Sequence, residues 1–146
     1  MTHTESTDRA CVHARLLDAP RDQVLAAFSR PERLARWWGP NGFRSTFETF
    51  EFRPGGKWLF TMHGPDGKDY PNESVFLEVG PERIVLEHFG HHFFLTVTLE
   101  ERGSQTLLGW EQVFDTAEHR ERVAEVVLEA NEQNLDRLQA EVHRGA

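Results

Sequence analysis

The chain has 146 residues, 38% of them apolar, and a formal net charge of −8 from 24 acidic against 16 basic side chains. That length suits one domain with a buried core, and the acidic balance opposes docking on phosphate backbones or anionic lipid headgroups, so neither nucleic acid nor a membrane is expected as a partner. No apolar run is long enough to span a bilayer, the stretch Met1 to Arg9 is too polar for a secretory signal, and Cys11 stands alone, which excludes an internal disulfide.

A cytoplasmic protein is therefore expected, with residues 1–10 as a flexible tail and a single domain over residues 11–143. From Cys11 to Leu17 the row CVHARLL predicts a first strand, closed by Asp18-Ala19-Pro20. Pro20 suits a helix entry, and Val24, Leu25, Ala27 and Phe28 recur at helical spacing to about Ser29. Ser29-Arg30-Pro31-Glu32 repeats the entry pattern; a second short helix carries Leu34, Trp37 and Trp38 on one side and stops at Gly39-Pro40. Neither helix is long enough to stand alone, so both must pack on something larger.

From Thr46 to Phe114 the period changes to two, and turn residues punctuate successive strands. Arg53-Pro54-Gly55-Gly56 makes the first reversal, after which Trp58, Phe60 and Met62 share one face. Gly64-Pro65-Asp66-Gly67 follows, then strands over Ser74 to Val79, Ile84 to Phe89, Phe93 to Leu99 and Leu107 to Phe114, separated by Gly80-Pro81, Gly90 and Glu101-Arg102-Gly103-Ser104. Such short connections predict an antiparallel meander. Thr116 to about Val142 contains no Gly or Pro and predicts a long helix capped by Thr116. Its apolar stripe runs through Ala124, Val127, Leu135, Leu138 and Val142, with Val123, Leu128 and Ala130 at the flanks, and Asn131 and Asn134 fall inside it.

This order of elements resembles the helix-grip fold of the START-like, or SRPBCC, superfamily: an α+β domain whose antiparallel sheet wraps a long C-terminal helix, with two short helices after the first strand. Ala19-Pro20-Arg21 with Val24 and Phe28, then Pro31-Glu32-Arg33-Leu34-Ala35-Arg36-Trp37-Trp38-Gly39-Pro40, are similar to the entry motif of the family homologous to the activator of heat-shock-protein-90 ATPase. Arg53-Pro54-Gly55-Gly56-Lys57-Trp58, Met62 to Gly67 (MHGPDG) and Gly80-Pro81-Glu82-Arg83-Ile84 match in register, so the resemblance runs from about Val12 to Val142. Where members often carry Gly-Trp in the last helix, four residues ahead of the position of Leu135, this chain has Ala130-Asn131. Losing an indole there should enlarge a cavity, and a buried amide needs a hydrogen-bond partner.

The resemblance implies a ligand cavity between sheet and helix for many members, cyclase or dehydratase chemistry for some, and chaperone assistance for a few. The reading adopted is a hydrophobic or amphipathic small molecule held in an enclosed apolar void on the order of several hundred cubic ångströms. The residues expected around it are Trp37, Trp38, Trp58, Phe60, Met62, His88, Phe93, Leu95, Val97, Trp110, Val127, Asn131, Asn134 and Leu138. Trp37 and Trp38 suit either a gate or packing against the sheet; Asn131 and Asn134 suit either a ligand contact or a bland role, bonded to neighbouring backbone or water or facing solvent where the stripe leaves the sheet.

The competing readings are a polyketide cyclase-like enzyme and a co-chaperone-type interaction domain. For the first, His88 is the one acid or base whose strand parity with Ile84 and Leu86 turns it inward; Glu78 and Glu111 also lie on strands, with Glu111 opposite Trp110 and so toward solvent. Gly55-Gly56 and Gly64-Pro65-Asp66-Gly67 lack the lysine and helix start of a phosphate loop. His88, His91 and His92 cluster around Gly90, yet adjacent His91 and His92 point to opposite faces of a strand and no Cys or carboxylate completes a tetrahedral set, so no metal and no cofactor is expected. A homodimer is compatible with the pattern, through a meander edge or the short helices.

Overall fold

The computed structural model describes residues 8–144. Its strands are β1 (Ala10–Leu17), β2 (Arg44–Phe50), β3 (Lys57–His63), β4 (Asp69–Val79), β5 (Arg83–Phe89), β6 (Phe93–Arg102) and β7 (Gln105–Phe114). Helices α1 (Arg21–Ser29) and α2 (Pro31–Trp37) follow β1, and α3 (Ala117–Arg144) follows β7. The strands form one antiparallel sheet in the order β1-β7-β6-β5-β4-β3-β2, so the meander is intact and β1 returns to pair with its last member. This is the helix-grip arrangement the sequence resembles. Of the expected tail, residues 1–7 lie outside the described residues, whereas Ala10 is buried and opens β1.

The elements differ from the sequence reading in several places, among them β6 and β7, which extend to Arg102 and from Gln105. β4 begins at Asp69 rather than Ser74, running through Pro71. Residues 69–72 pair with β3 alone, beyond the end of β5, and proline is tolerated where a strand has one open side. α2 ends at Trp37: Trp38 donates its backbone N–H to Leu34 but has extended dihedrals (φ −69°, ψ 131°), and the two indoles meet edge to face at 5.5 Å. In β2 the register shifts between Phe47 and Thr49. Residues three apart in a regular strand face opposite ways, but the bulge lets Phe47 and Phe50 both meet Trp58, at ring-centroid distances of 5.4 and 5.9 Å.

Helix α3 lies across β1 and β7, while α2 packs on β2. Its buried stripe is Ala124, Asn131, Leu135, Leu138 and Val142, and ion pairs pin it at two places. On β1, Arg15 reaches Glu132 at 2.7 Å and Asp136 at 2.6 Å, and His13 Nδ1 lies 2.5 Å from Glu132. Near the helix end, Glu141 is buried between Arg33 (2.9 Å) and Arg36 (2.7 Å), the pairing that a carboxylate removed from water requires. Cys11 is buried in β1, where burial pushes its thiol pKa up, consistent with a core role.

Candidate ligand site

The space under the grip is filled at one end and open at the other. Trp58 stacks on Phe60 at 4.2 Å and meets Trp38 at 4.9 Å, and Phe52 meets Phe76 at 5.1 Å. Each such ring stabilises the fold by roughly 1.5–3 kcal/mol through burial. The free space left among Trp38, Trp58, Phe76, Leu95 and Val97 is about 10 Å³, room for no more than a water-sized group. The enclosed void of several hundred cubic ångströms is therefore absent from this part of the interior. Trp58, Phe60, Val97 and Leu138 are solid core, as is Trp37, whose indole N–H donates to the Ala27 carbonyl at 2.9 Å and whose ring sits 4.9 Å from Phe28.

Open space lies instead between β6–β7 and the first half of α3, in two adjoining recesses that share Phe93 and Gln112. The inner one, about 100 Å³, is walled by Trp38, Met62, Leu95, Trp110, Asn131 and Asn134 among others. The outer one, about 370 Å³, is walled by Phe114, Val123, Val126 and Val127, with His91, His119 and Arg122 around it. On α3 these residues fall at 119, 122–123, 126–127, 130–131 and 134, a second stripe at helical spacing beside the core stripe. The sequence reading took Val123 for a flank and missed His119, Arg122 and Gln112; the recurrence of His119 and Arg122 with Val126 was the signal available.

The two asparagines have separate fates. Asn134 is spent on the backbone: its Nδ2 donates to the Trp37 carbonyl at 2.9 Å and its Oδ1 accepts from the Gly39 N–H at 3.3 Å. Arg137, one turn on, donates to the carbonyls of Arg36, Gly39 and Pro40 at 2.8–2.9 Å. Together they fix the Trp38-Gly39-Pro40 corner that roofs the inner recess. Asn131 instead donates Nδ2 to Gln112 Oε1 at 3.0 Å, leaving its own Oδ1 and the Gln112 Nε2 group for other partners. The buried indole N–H of Trp110, in the same wall, has no acceptor among the described residues.

His88 faces inward as its parity suggested, stacked on Phe93 at 4.5 Å, but lines neither recess. Burial lowers its pKa, and both ring nitrogens are engaged, Nδ1 by the His91 carbonyl at 2.9 Å and Nε2 by Asn72 Oδ1 at 2.7 Å. It is thus poorly placed to move a proton for a ligand. His119 is better placed: it lines the outer recess, and Asp115 fixes its Nδ1 at 2.8 Å, leaving Nε2 as the available nitrogen.

A hydroxyl–imidazole–carboxylate chain also exists outside the grip. Thr46 Oγ1 lies 2.8 Å from His63 Nε2, and His63 Nδ1 lies 2.7 Å from Asp69. The adjacent recess on that face is lined by Glu48 and Glu73, which oppose a developing oxyanion, so the chain is a cross-strand tie. Among the described residues no three His, Cys, Asp or Glu side chains stand close enough to hold a metal ion. No described helix is long and apolar enough to cross a membrane.

The seven-stranded antiparallel sheet, the two short helices after its first strand and the long helix it grips define a helix-grip module of the SRPBCC type. The chain belongs to the family described as Activator of Hsp90 ATPase homolog 1-like protein, whose model matches residues 18–143. Its structure is similar to that of protein NE0264 from Nitrosomonas europaea (20% identity, TM-score 0.87, covering 96% of this chain and 97% of that one). It is also similar to a protein from Arthrobacter aurescens (25% identity, TM-score 0.87, 95% and 88% covered). CalU16 from Micromonospora echinospora is a third likeness (22% identity, TM-score 0.68, 91% and 75% covered). A search of curated proteins found no match.

Proposed function

We propose that this protein binds a small, mainly apolar molecule in the groove between the first half of α3 and strands β6–β7. The observation that carries this reading is an apolar wall left open while the rest of the interior is packed: Val123, Val126 and Val127 overhang Phe93 and Phe114 around about 370 Å³, a volume within the range of small-molecule sites. Val126 is 73% exposed, apolar surface that a ligand would cover. At the inner end a neutral oxygen of the ligand accepts from Gln112 Nε2, a donor without a partner among the described residues. Native mass spectrometry of the protein purified from the cells that make it tests this. A retained small molecule that is lost from a folded Val127→Glu variant supports the reading; an equal retained mass in both, or none in either, contradicts it.

A second reading, proton transfer on the bound molecule, is favoured by the Asp115–His119 pair at the outer recess, where a carboxylate orients an imidazole beside an apolar surface. His119→Gln would then abolish turnover of a bound substrate while leaving its affinity intact, and a variant with undiminished turnover would refute it.

A further inference from the structure

We infer that the ligand of this groove is an amphiphile carrying a single anionic group, its chain along the valines of α3 and its charge beside Arg122. The inference rests on the groove reading above and adds the chemistry of the ligand's outer end.

The outer recess has an asymmetric wall. Its ionisable lining residues are His91, His119 and Arg122, and none of its nine lining residues is acidic, although acidic side chains outnumber basic ones 24 to 16 in the whole chain. Arg122 makes no hydrogen bond or ion pair among the described residues. Glu118 stands one helical turn earlier and does not engage it, while Arg15, Arg21, Arg33 and Arg36 all have carboxylate partners. A guanidinium at the edge of an apolar surface with its donors unused matches a carboxylate or similar anion, which it holds by two parallel bonds.

The remaining charged groups near this end agree with that assignment. Asp115, the carboxylate next to the recess, is occupied by His119 Nδ1 at 2.8 Å, and that hydrogen bond holds its pKa below the ordinary range. His119 packs its ring on Phe114 at 4.9 Å and lies 6.5 Å from His91, so both imidazoles border the place where the anion would sit. Glu121 and Glu125 are exposed on α3 and are not among the lining residues. The volume of about 370 Å³ accommodates about a dozen non-hydrogen atoms at about 30 Å³ each, a chain near ten carbons with its headgroup.

Titration by tryptophan fluorescence with decanoate, decanol and decylammonium, each below its micelle concentration, tests the inference. Decanoate is expected to bind about tenfold tighter than decanol, with an advantage that shrinks as salt is raised. Arg122→Gln should remove that advantage and leave decanol binding unchanged; Arg122→Lys should restore part of it. Arg122 is exposed, so circular dichroism of the variants should match the wild type. Equal binding of decanoate and decanol, preference for decylammonium, or an Arg122→Gln variant that keeps the preference overturns the anionic headgroup while the groove reading stands. Binding of no probe overturns both.

Discussion

The Asn134 side chain donates to the Trp37 carbonyl at 2.9 Å, so the middle of α3 directly fixes the end of α2. The same amide accepts from Gly39 N–H, and the corner it shapes is the roof of the inner recess.

Asn134→Ala leaves a buried carbonyl and a buried N–H without partners, since both sit where water is excluded. A loss of about 1–3 kcal/mol is expected from urea denaturation. Affinity for an apolar probe should fall with it, because Trp38 and Pro40 lose their anchor.

Glu141 supplies a pH-dependent test. Burial alone would raise its proton affinity, but hydrogen bonds and charge from Arg36 and Arg33 outweigh that and hold the carboxyl below its usual range. A folded carboxyl with a depressed pKa contributes its stability above the unfolded value of about 4.3 and loses it as pH falls through the folded value. Glu141→Gln should cost about 3 kcal/mol at neutral pH, less than a fully enclosed pair because Arg36 is partly in water. The gap between variant and wild type should close as pH drops below about 4; thermal denaturation across pH 3–7 reads it.

His88 should titrate below about 6.5, since burial disfavours its charged form more strongly than the His91 carbonyl favours it. Protonation then favours the unfolded chain, and wild-type stability should decline as pH falls from that value toward the folded one. NMR titration of the His88 ring gives the midpoint; a midpoint above 6.5 would contradict the burial seen here.

Gly39 has φ of +101°, and a methyl there would lie 2.8 Å from Met62 Cε. Gly39→Ala should cost about 1–3 kcal/mol of stability and push Met62 into the inner recess. Calorimetry measures the first effect, and weakened binding of an apolar probe the second.

The sheet order and the gripped helix were legible because period-two segments and an unbroken 28-residue helix report directly on which faces are buried. The location of the open space was not. Phe47 and Phe50 reach Trp58 through a bulge that no periodicity reveals, and Trp38 leaves its helix one residue before the Gly39-Pro40 stop signal; together these fill the expected void. The periodicity places Asn131 and Asn134 in the apolar stripe but leaves their burial open, because their partners, Gln112 and the Trp37 backbone, come from segments distant in the chain. His119 and Arg122 were passed over because a histidine and an arginine look like the solvated side of a helix until the neighbouring valines are seen to line a groove.

The central claim is that the ligand occupies the space between α3 and strands β6–β7. Methyl NMR spectra recorded during titration with decanoate test it most directly. The account predicts the largest shifts at Val123, Val126, Val127 and Leu95, with Val12 and Leu16 on the exposed face of β1 unmoved. Shifts centred on those β1 residues, or on Leu59 in the recess beside Glu48 and Glu73 outside the grip, or a spectrum that does not change, would contradict it.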